Sequence, residues 1–266
     1  MSQIHPNSVV DPAAKLGKDV VIGPFCVVGP AVTLGDGVTL QSHVVVDGHT
    51  EIGAGTRIFP FAAIGTQPQD LKYHGEKSRL IVGRNNVIRE YVTMNPGTEG
   101  GGMETRVGDN GLFMIGVHIA HDCVVGNNAI LANNATLAGH VKVGDHVVIG
   151  GLAAVHQFVR IGAHAMIGGL SGVEHDVIPF GSVMGERASL AGLNIIGMKR
   201  RGFDRDTIHG LRAAFRELFT ETGTIAERVA AVTARHAGNA AVSEIIAFMR
   251  VESQRGLTTP KAENGA

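Results

Sequence analysis

The chain has 266 residues, a formal net charge of −1 and no tryptophan. A near-neutral balance gives no reason to expect a nucleic-acid partner, because bulk attraction to phosphates requires a basic surface. The amino terminus lacks the basic and apolar stretches of a signal peptide, and no apolar run approaches a membrane span. We therefore expect a cytoplasmic protein without an integral membrane segment.

A large apolar residue recurs at every sixth position, first from Val10 to Ile64 and again from Val107 to Val173. A short period sustained this long is typical of a solenoid, and the six-residue period predicts a parallel β-helix. Three repeats make one coil of 18 residues, so side chains 18 positions apart should stack at the strand spacing of about 4.8 Å. We predict this β-helix over residues 1–185.

The two cysteines belong to the same pattern. Cys26 and Cys123 each occupy the fourth position after a repeat residue, where alanine and valine otherwise occur. They are predicted to be small buried side chains rather than disulfide partners or metal ligands. Both therefore count as part of the predicted interior of the coil.

The six-residue period breaks at residues 66–80 and 95–106, and each break predicts a loop that leaves the coil. Such loops often carry function in solenoids, although a tolerated surface insertion is the simpler alternative. Function is favoured for the first loop, because Asp70 and Lys72 place a carboxylate and an ammonium group around Leu71, which we expect to be an anchor.

Helical periodicity replaces the repeat after about residue 185, and residues 186–254 are predicted to form a carboxyl-terminal helical domain. The last residues, 255–266, are predicted to be disordered. Four helices are expected: one at 190–199, one capped by Asp204, one with a capping box of Thr224 and Glu227, and one at 240–251.

His121 and Asp122 are the strongest candidates for chemistry. An imidazole can accept a proton from a hydroxyl group at neutral pH, and a neighbouring carboxylate can hold its tautomer. Gly139 stands 18 positions further on, and its uncovered N–H could stabilise an oxyanion. A lone His-Asp pair would more often be two exposed turn residues, but the stack favours a site. The same corner continues with further polar side chains: His140, His156 and Gln157.

Two alternatives concern other charged groups. His118, His121 and His140 also permit a zinc site, but zinc usually requires supporting partners for each imidazole and an open position. This alternative is not favoured, and no metal or other cofactor is expected. The basic run at residues 199–201 could be a solvated helix end, or it could bind a pyrophosphate or an acidic carrier protein. Its spacing does not decide between these two interpretations.

Several segments carry a family resemblance. The most specific are QDLK at residues 69–72, HIAHDCVVGN at 118–127 and KRRGF at 199–203, with weaker matches at IGPFCVVGP, SHVVVDGHT, ILANNATLAGHV and AVHQFV. On these residues the chain resembles the acyl-[acyl-carrier-protein]–UDP-N-acetylglucosamine O-acyltransferases over nearly its whole length. The resemblance implies a left-handed β-helix, an exception to the usual right-handed crossover, and a homotrimer with active sites between neighbouring chains.

The resemblance also implies the reaction and the roles of residues. A 3-hydroxyacyl chain would move from the acyl carrier protein to the glucosamine 3-position of UDP-N-acetylglucosamine, the first step of lipid A biosynthesis. His121 would be the general base, Asp122 its orienting partner and Gly139 the oxyanion donor. Substrate contacts are implied for a larger set, with His156 in the same pocket: Asp70, Lys72, His118, His140, Gln157, Asn194, Arg200 and Arg201.

A few positions bear on specificity. Gly169 matches the floor of the family's acyl groove and implies a long donor of about fourteen carbons, at a level about 2.7 coils, or roughly 13 Å, beyond the base. Arg187 is expected near the far end of this groove. Ile196 stands where the family leads us to expect an acidic residue, and Asn95 where a histidine is familiar. Some relatives acylate a 3-amino sugar, and that acceptor stays an alternative.

Competing classes make different demands on the sequence. An N-acyltransferase of the same pathway would need an additional amino-terminal domain, whereas the repeat here begins at Val10. A zinc-dependent β-helix hydratase would carry tightly bound metal. An ice-binding β-helix would need regular rows of threonine on one flat face, which the sequence lacks.

Overall fold

The computed structural model describes residues 2–220 and 222–261. Its strands, in chain order, are β1 (Gln3–Ile4), β2 (Val9–Val10), β3 (Lys15–Leu16), β4 (Val21–Ile22), β5 (Val27–Val28), β6 (Thr33–Leu34), β7 (Thr39–Leu40), β8 (Val45–Val46), β9 (His49–Ile52), β10 (Arg57–Ile58), β11 (Ala63–Ile64), β12 (Arg79–Val82), β13 (Val87–Ile88), β14 (Thr93–Met94), β15 (Glu104–Val107), β16 (Leu112–Phe113), β17 (His118–Ile119), β18 (Val124–Val125), β19 (Ile130–Leu131), β20 (Thr136–Leu137), β21 (Lys142–Val143), β22 (Val148–Ile149), β23 (Ala154–Val155), β24 (Arg160–Ile161), β25 (Met166–Ile167), β26 (Gly172–Val173), β27 (Gly181–Met184) and β28 (Ser189–Leu193). The helices are α1 (Ile195–Arg200), α2 (Arg205–Leu218), α3 (Ile225–Arg235) and α4 (Ala240–Arg250).

From β1 to β26, strands that pair lie three places apart in the chain, and this pairing winds three parallel sheets around one axis. The first sheet runs from β1 to β28, the second from β2 to β26 and the third from β3 to β24. Within an uninterrupted coil the register joins residues 18 apart, such as His118 with Thr136. The predicted left-handed parallel β-helix with carboxyl-terminal helices is confirmed.

The six-residue repeat fills the interior of the coil. Burial of an aliphatic side chain of this size stabilises the fold by about 1.5–3 kcal/mol relative to exposure. Cys26 and Cys123 are free and buried, as predicted. Successive repeat residues of the second sheet show the stack, each of them 0% exposed: Ile64, Met94, Ile119 and Leu137.

Corners of the coil set the positions of its polar side chains. At the corner between the second and third sheets, Asp122, His140 and Phe158 adopt left-handed φ angles of 60°, 64° and 67°. Among non-glycine residues, Asp, Asn and His tolerate this conformation best. Asp122 and His140 fit this preference and Phe158 does not, and the coil register stacks the three side chains at one corner.

Both predicted loops are present, but each ends earlier than expected. The first loop (residues 65–78) ends before β12 at Arg79, and the second loop (residues 95–103) ends before β15 at Glu104. These two strands extend to four residues because they pair with each other, and β12 also pairs with β9. Tertiary pairing, which the six-residue pattern does not encode, accounts for the difference.

The predicted helix at 190–199 is wrong for its first half. Ser189–Leu193 forms β28, which pairs antiparallel with β27, and only Ile195–Arg200 is helical. The other helices begin as predicted, since Asp204 accepts a hydrogen bond from the Thr207 amide and Thr224 and Glu227 form the capping box.

Within the described residues, no helix combines the length and apolar character needed to cross a bilayer.

The predicted disorder of the tail is wrong for residues 255–261, whereas 262–266 lie outside the described residues. Leu257 forms a parallel bridge with Asp176, and Thr258, which is 3% exposed, donates its amide to the Asp176 carbonyl at 2.8 Å. The Leu190 amide donates to Thr259 at 3.0 Å. The last coil leaves strand-edge groups unpaired, and the tail satisfies them.

A chain that ends at Gln254 should therefore be less stable. The truncation removes five main-chain and side-chain hydrogen bonds to residues 175, 176 and 190, each worth about 0.5–1.5 kcal/mol. Thermal and chemical denaturation should show a loss of about 2–4 kcal/mol. Lys261→Ala serves as the control, and an unchanged unfolding curve for the truncated chain would contradict this role of the tail.

Candidate active site

His121 and Asp122 lie at the corner between β17 and β18. The Asp122 side chain is 0% exposed and the His121 side chain 15%. His121 Nδ1 lies 2.7 Å from Asp122 Oδ2. Because a carboxylate only accepts hydrogen bonds, the proton is on Nδ1 and Nε2 carries the free lone pair. This arrangement suits the imidazole to accept a proton.

Gly139 lies one coil above the imidazole, as the stack predicts. A Cβ atom at Gly139 would come within 2.6 Å of His121 Cε1 and 2.7 Å of Nε2, so only glycine leaves room for the ring. The flanking amides of Ala138 and His140 donate to carbonyls of the coil. Among the hydrogen bonds of residues 2–220 and 222–261, none uses the Gly139 N–H. A free donor therefore lies beside the imidazole.

Two further histidines surround His121. His140 meets its ring edge-on at 5.1 Å and stacks on Phe158 at 4.4 Å. Burial lowers the pKa of His140, although Asp122 opposes the shift. Burial, with a smaller contribution from the charge of His121, also lowers the pKa of His118, whose Nδ1 lies 2.7 Å from the Thr93 hydroxyl. Both rings therefore stay neutral at neutral pH and can offer N–H donors.

The first loop brings Asp70 into the field of these histidines. The pKa of Asp70 is lowered mainly by the hydrogen bond from the Lys72 amide, with smaller attractions from His121 and His140. The Lys72 side chain is exposed. The expected anchoring role of Leu71 is wrong within this chain, because its side chain is 102% exposed.

Asn95 holds the base of the first loop. Its side-chain amide, in a residue that is 3% exposed, donates to the carbonyls of Thr66 at 2.9 Å and Gln67 at 3.2 Å. The sequence marks this position only as a departure from the family pattern. Its role depends on the approach of the second loop to the first, which the sequence does not show.

The upper part of the same corner carries His156 and Gln157, both exposed. His156 Nδ1 lies 3.2 Å from the Gln157 carbonyl, and Arg255 Nε donates to that carbonyl at 2.8 Å. Sequence reasoning missed Arg255, because it assigned the tail to disorder. No signal in the repeat pattern could have placed Arg255 here.

Above His118, the second sheet presents outward side chains of decreasing size: Thr136, Ala154 and Gly172. Gly169 lies at the neighbouring corner, where an added Cβ would meet the Gly151 carbonyl at 3.2 Å. At the top, Arg187 pairs with Glu174, and the Ala188 amide donates to the Gly172 carbonyl. The result is a smooth surface with a charged pair at its far end.

Asn194, Arg200 and Arg201 are not brought to His121 within one chain. Asn194 caps α1 and donates to the His164 carbonyl at 2.9 Å, and Arg201 donates to the His146 carbonyl at 2.7 Å. These carbonyls belong to the corner between the third and first sheets. Arg200 is exposed at the end of α1, as is Ile196 at its start, with a relative exposure of 67%.

A metal does not fit the site without disruption. His121, Asp122 and His140 offer ligand atoms within 4.8 Å of one another. However, the Asp122 oxygens already accept hydrogen bonds from the Thr98 amide, the Thr98 hydroxyl and His121. A bound cation would have to displace at least one of these donors. His118, the third ligand of the zinc alternative, lies outside the cluster.

The helical and repeat segments match known families. Residues 13–48 and 104–139 match the bacterial transferase hexapeptide model, which places the coil among the hexapeptide-repeat transferases. Residues 176–258 match the model described as UDP-N-acetylglucosamine O-acyltransferase, domain 2. The coil and the carboxyl-terminal region thus point to the same class of protein.

Relatives narrow this class. The acyl-[acyl-carrier-protein]–UDP-N-acetylglucosamine O-acyltransferase of Rickettsia canadensis is 54% identical over 96% of this chain and 96% of its own. Its counterpart in Methylobacterium radiotolerans is 60% identical over 77% of this chain and 75% of its own. A UDP-N-acetylglucosamine acyltransferase from Campylobacter jejuni has a TM-score of 0.92 at 41% identity, over 97% of this chain and 100% of its own. The chain belongs to the acyl-[acyl-carrier-protein]–UDP-N-acetylglucosamine O-acyltransferase family.

His164, which lies away from the candidate site, predicts how the stability of the fold depends on pH. Burial above all, with the charges of His146 and Arg201, lowers the pKa of His164 from 6.5 to about 4. Between these two pH values the imidazole of His164 is protonated in the unfolded chain and neutral in the folded chain. The free energy of unfolding should therefore fall as pH drops from about 6.5 to about 4. Denaturation at pH 7 and pH 5 should show a smaller loss in His164→Asn, which keeps a residue that tolerates the corner's φ of 61°. Equal losses in both proteins would contradict this.

Proposed function

We propose that this chain transfers an (R)-3-hydroxyacyl group from an acyl carrier protein thioester to the 3-hydroxyl of UDP-N-acetylglucosamine, the first step of lipid A biosynthesis. Membership of the family supports the reaction class. The observation that carries the site is the His121 imidazole, fixed by Asp122 and lying against the free N–H of Gly139. We also propose that the enzyme is cytoplasmic, as the sequence leads us to expect.

The proposed chemistry follows from that geometry. His121 Nε2 removes the proton of the sugar 3-hydroxyl as its oxygen attacks the thioester carbonyl carbon. The Gly139 N–H donates to the oxyanion of the tetrahedral intermediate. Collapse breaks the carbon–sulfur bond, and the departing thiolate takes the proton back from the His121 imidazolium. Asp122 stabilises the imidazolium without accepting the proton.

The remaining residues are proposed to bind the substrates. Neutral His118 and His140 can donate to sugar oxygens, and Asp70 and Lys72 reach the same region from the first loop. The exposed side chain of Gln157 continues the column above, beside His156. Arg200 is free to meet a phosphate group, whereas Arg201 and Asn194 would act mainly by holding α1 in place.

A homotrimer would complete the site. In one chain, Arg200 lies on α1, which is fastened to a different corner of the coil from the one that carries His121. A second copy could bring its α1 to this corner. Exposed apolar surface supports assembly: the rings of Phe25, His43, Phe61 and Tyr91 stack at 4.9–5.2 Å along one corner, and the three non-histidine rings are 48–59% exposed. A surface of this kind is typical of an interface.

The acyl chain is proposed to run upward over the second sheet. The small outward residues Thr136, Ala154 and Gly172 leave space above His118, and Gly169 widens the corner beside them. The distance of roughly 13 Å from the base to the level of Gly169 suits about ten carbons before the chain passes it. Together with the family pattern, this space supports a donor of about fourteen carbons. The Arg187–Glu174 pair would close the far end.

His121→Ala should abolish most of the transfer. Loss of a general base lowers the rate by about 10²–10⁴-fold, and His121 is not part of the buried core, so the fold should persist. Mass spectrometry of UDP-N-acetylglucosamine incubated with hydroxyacyl carrier thioesters should show acylated sugar for the wild type only. The 3-amino analogue of the sugar, run in parallel, tests the alternative acceptor. Turnover near the wild-type rate in His121→Ala would exclude this base.

Gly169→Met should shift the donor preference towards shorter chains. The new side chain would occupy the space beside Gly151 and remove room for the distal carbons, each buried methylene being worth about 0.8 kcal/mol. Competition assays with donors of ten, twelve and fourteen carbons should show the shift in kcat/KM. Ala31→Met adds the same side chain to an exposed position in a lower coil and should leave the preference unchanged. If the wild-type enzyme prefers a ten-carbon donor, the acyl groove does not lie on this surface.

A further inference from the structure

The second loop has no role in the reaction described so far, yet it encloses Asp122. The Thr98 amide donates to Asp122 Oδ1 at 2.8 Å, and the Thr98 hydroxyl donates to Oδ2 at 2.6 Å. Thr98 is itself 4% exposed. Oδ2 is therefore shared between the Thr98 hydroxyl and the imidazole of His121.

The loop is built around this contact. The Gly101 and Met103 amides both donate to the Thr98 carbonyl, at 3.1 and 2.9 Å, which closes a short turn over the carboxylate. Gly101 lies so close that an added Cβ would overlap the Asp122 carboxylate. From the other side, Thr105 Oγ1 accepts the Asp122 amide at 2.7 Å. Asp122 is thus fixed at its main chain and at both oxygens.

The turn is also tied to its surroundings. The Gly97 amide donates to the Arg79 carbonyl in the third sheet, at 3.2 Å. The Glu99 amide donates to Glu76 Oε1 in the first loop, also at 3.2 Å. The contact with Asp122 is therefore held by the coil rather than by a free loop.

The restraint on the Asp122 carboxylate matters because His140 is a second possible hydrogen-bond partner for it. His140 Nδ1 lies 3.9 Å from Oδ2, against 2.7 Å for His121 Nδ1. A carboxylate free to rotate about its side-chain bonds could turn to His140 and release His121. A hydrogen bond to a charged acceptor is strong enough to decide between the two orientations.

We propose that the second loop is a clamp that orients Asp122 towards His121, with Thr98 and Gly101 as positioning residues. The clamp keeps the proton on His121 Nδ1 and aims Nε2 at the substrate hydroxyl. This inference rests on the proposed role of His121 as the base. Thr98 is 4% exposed and its hydroxyl donates to Asp122, so its loss should lower kcat and leave KM for the UDP-sugar unchanged.

Thr98→Val tests the hydroxyl, because it keeps the size and the backbone donor. We expect kcat to fall about tenfold to hundredfold, the range for loss of one hydrogen bond to a charged group, and Thr98→Ser to recover most of it. Thr50→Val is the matched control. Thr50 lies in β9 of the third sheet, is 0% exposed and donates an equally short hydroxyl bond, 2.6 Å, to the Asp47 carbonyl. It should lose stability but keep kcat.

Adjacent glycines provide a second test that does not depend on the threonine. Gly101→Ala must displace the Asp122 carboxylate and should lower kcat at least as far as Thr98→Val. Gly100→Ala, one residue earlier in the same turn, meets nothing within 4 Å and should keep wild-type turnover. The pair separates an effect on Asp122 from a general effect on the loop.

The outcomes distinguish this inference from the proposed base. If His121→Ala is inactive while Thr98→Val and Gly101→Ala keep wild-type kcat, the clamp is wrong and the base stands. If kcat falls equally in Gly100→Ala and Gly101→Ala, or if Thr98→Ser fails to recover activity, the loop acts through folding and the clamp is again wrong. If His121→Ala stays active, the base itself is wrong.

Discussion

The parallel register between coils is the constraint on which the rest of this structure depends. Main-chain hydrogen bonds join each strand to the strand one coil above, with a fixed offset of 18 residues wherever no loop intervenes. The same register stacks aliphatic side chains inside the coil and polar side chains at its corners. A shift of one residue would turn every buried side chain outward, so the core and the polar column are specified together.

The candidate site uses this register for precision. His121 and Gly139 meet because they are one coil apart, and the absence of a Cβ at Gly139 leaves room for the ring. Asp122 has a left-handed φ angle at this corner, and its own carboxylate meets the imidazole of His121. Rigid strands on both sides keep the reacting groups in place, which is the usual requirement for an effective base and oxyanion donor.

The two loops supply what a regular repeat cannot provide. A regular coil places its side chains at heights fixed by the strand spacing, whereas the loops bring Asp70 close to the histidines and place Thr98 over Asp122. They are fastened to each other through Glu76 and Asn95, and to the coil through the Gly97 amide and the Arg79 carbonyl. The surface proposed to bind substrate and the support of the proposed base are therefore parts of one hydrogen-bonded unit.

The sequence alone determined the β-helix, its interior and the stack of His121 under Gly139, because a constant six-residue period translates directly into three-dimensional neighbours. Local signals also placed the caps of α2 and α3 at Asp204 and Thr224. Only the tertiary structure decided that residues 189–193 pair as a strand, that the tail covers the last coil, and that Thr98 holds Asp122. These contacts join segments that share no period, and an irregular loop carries no pattern that states which carboxylate it will meet.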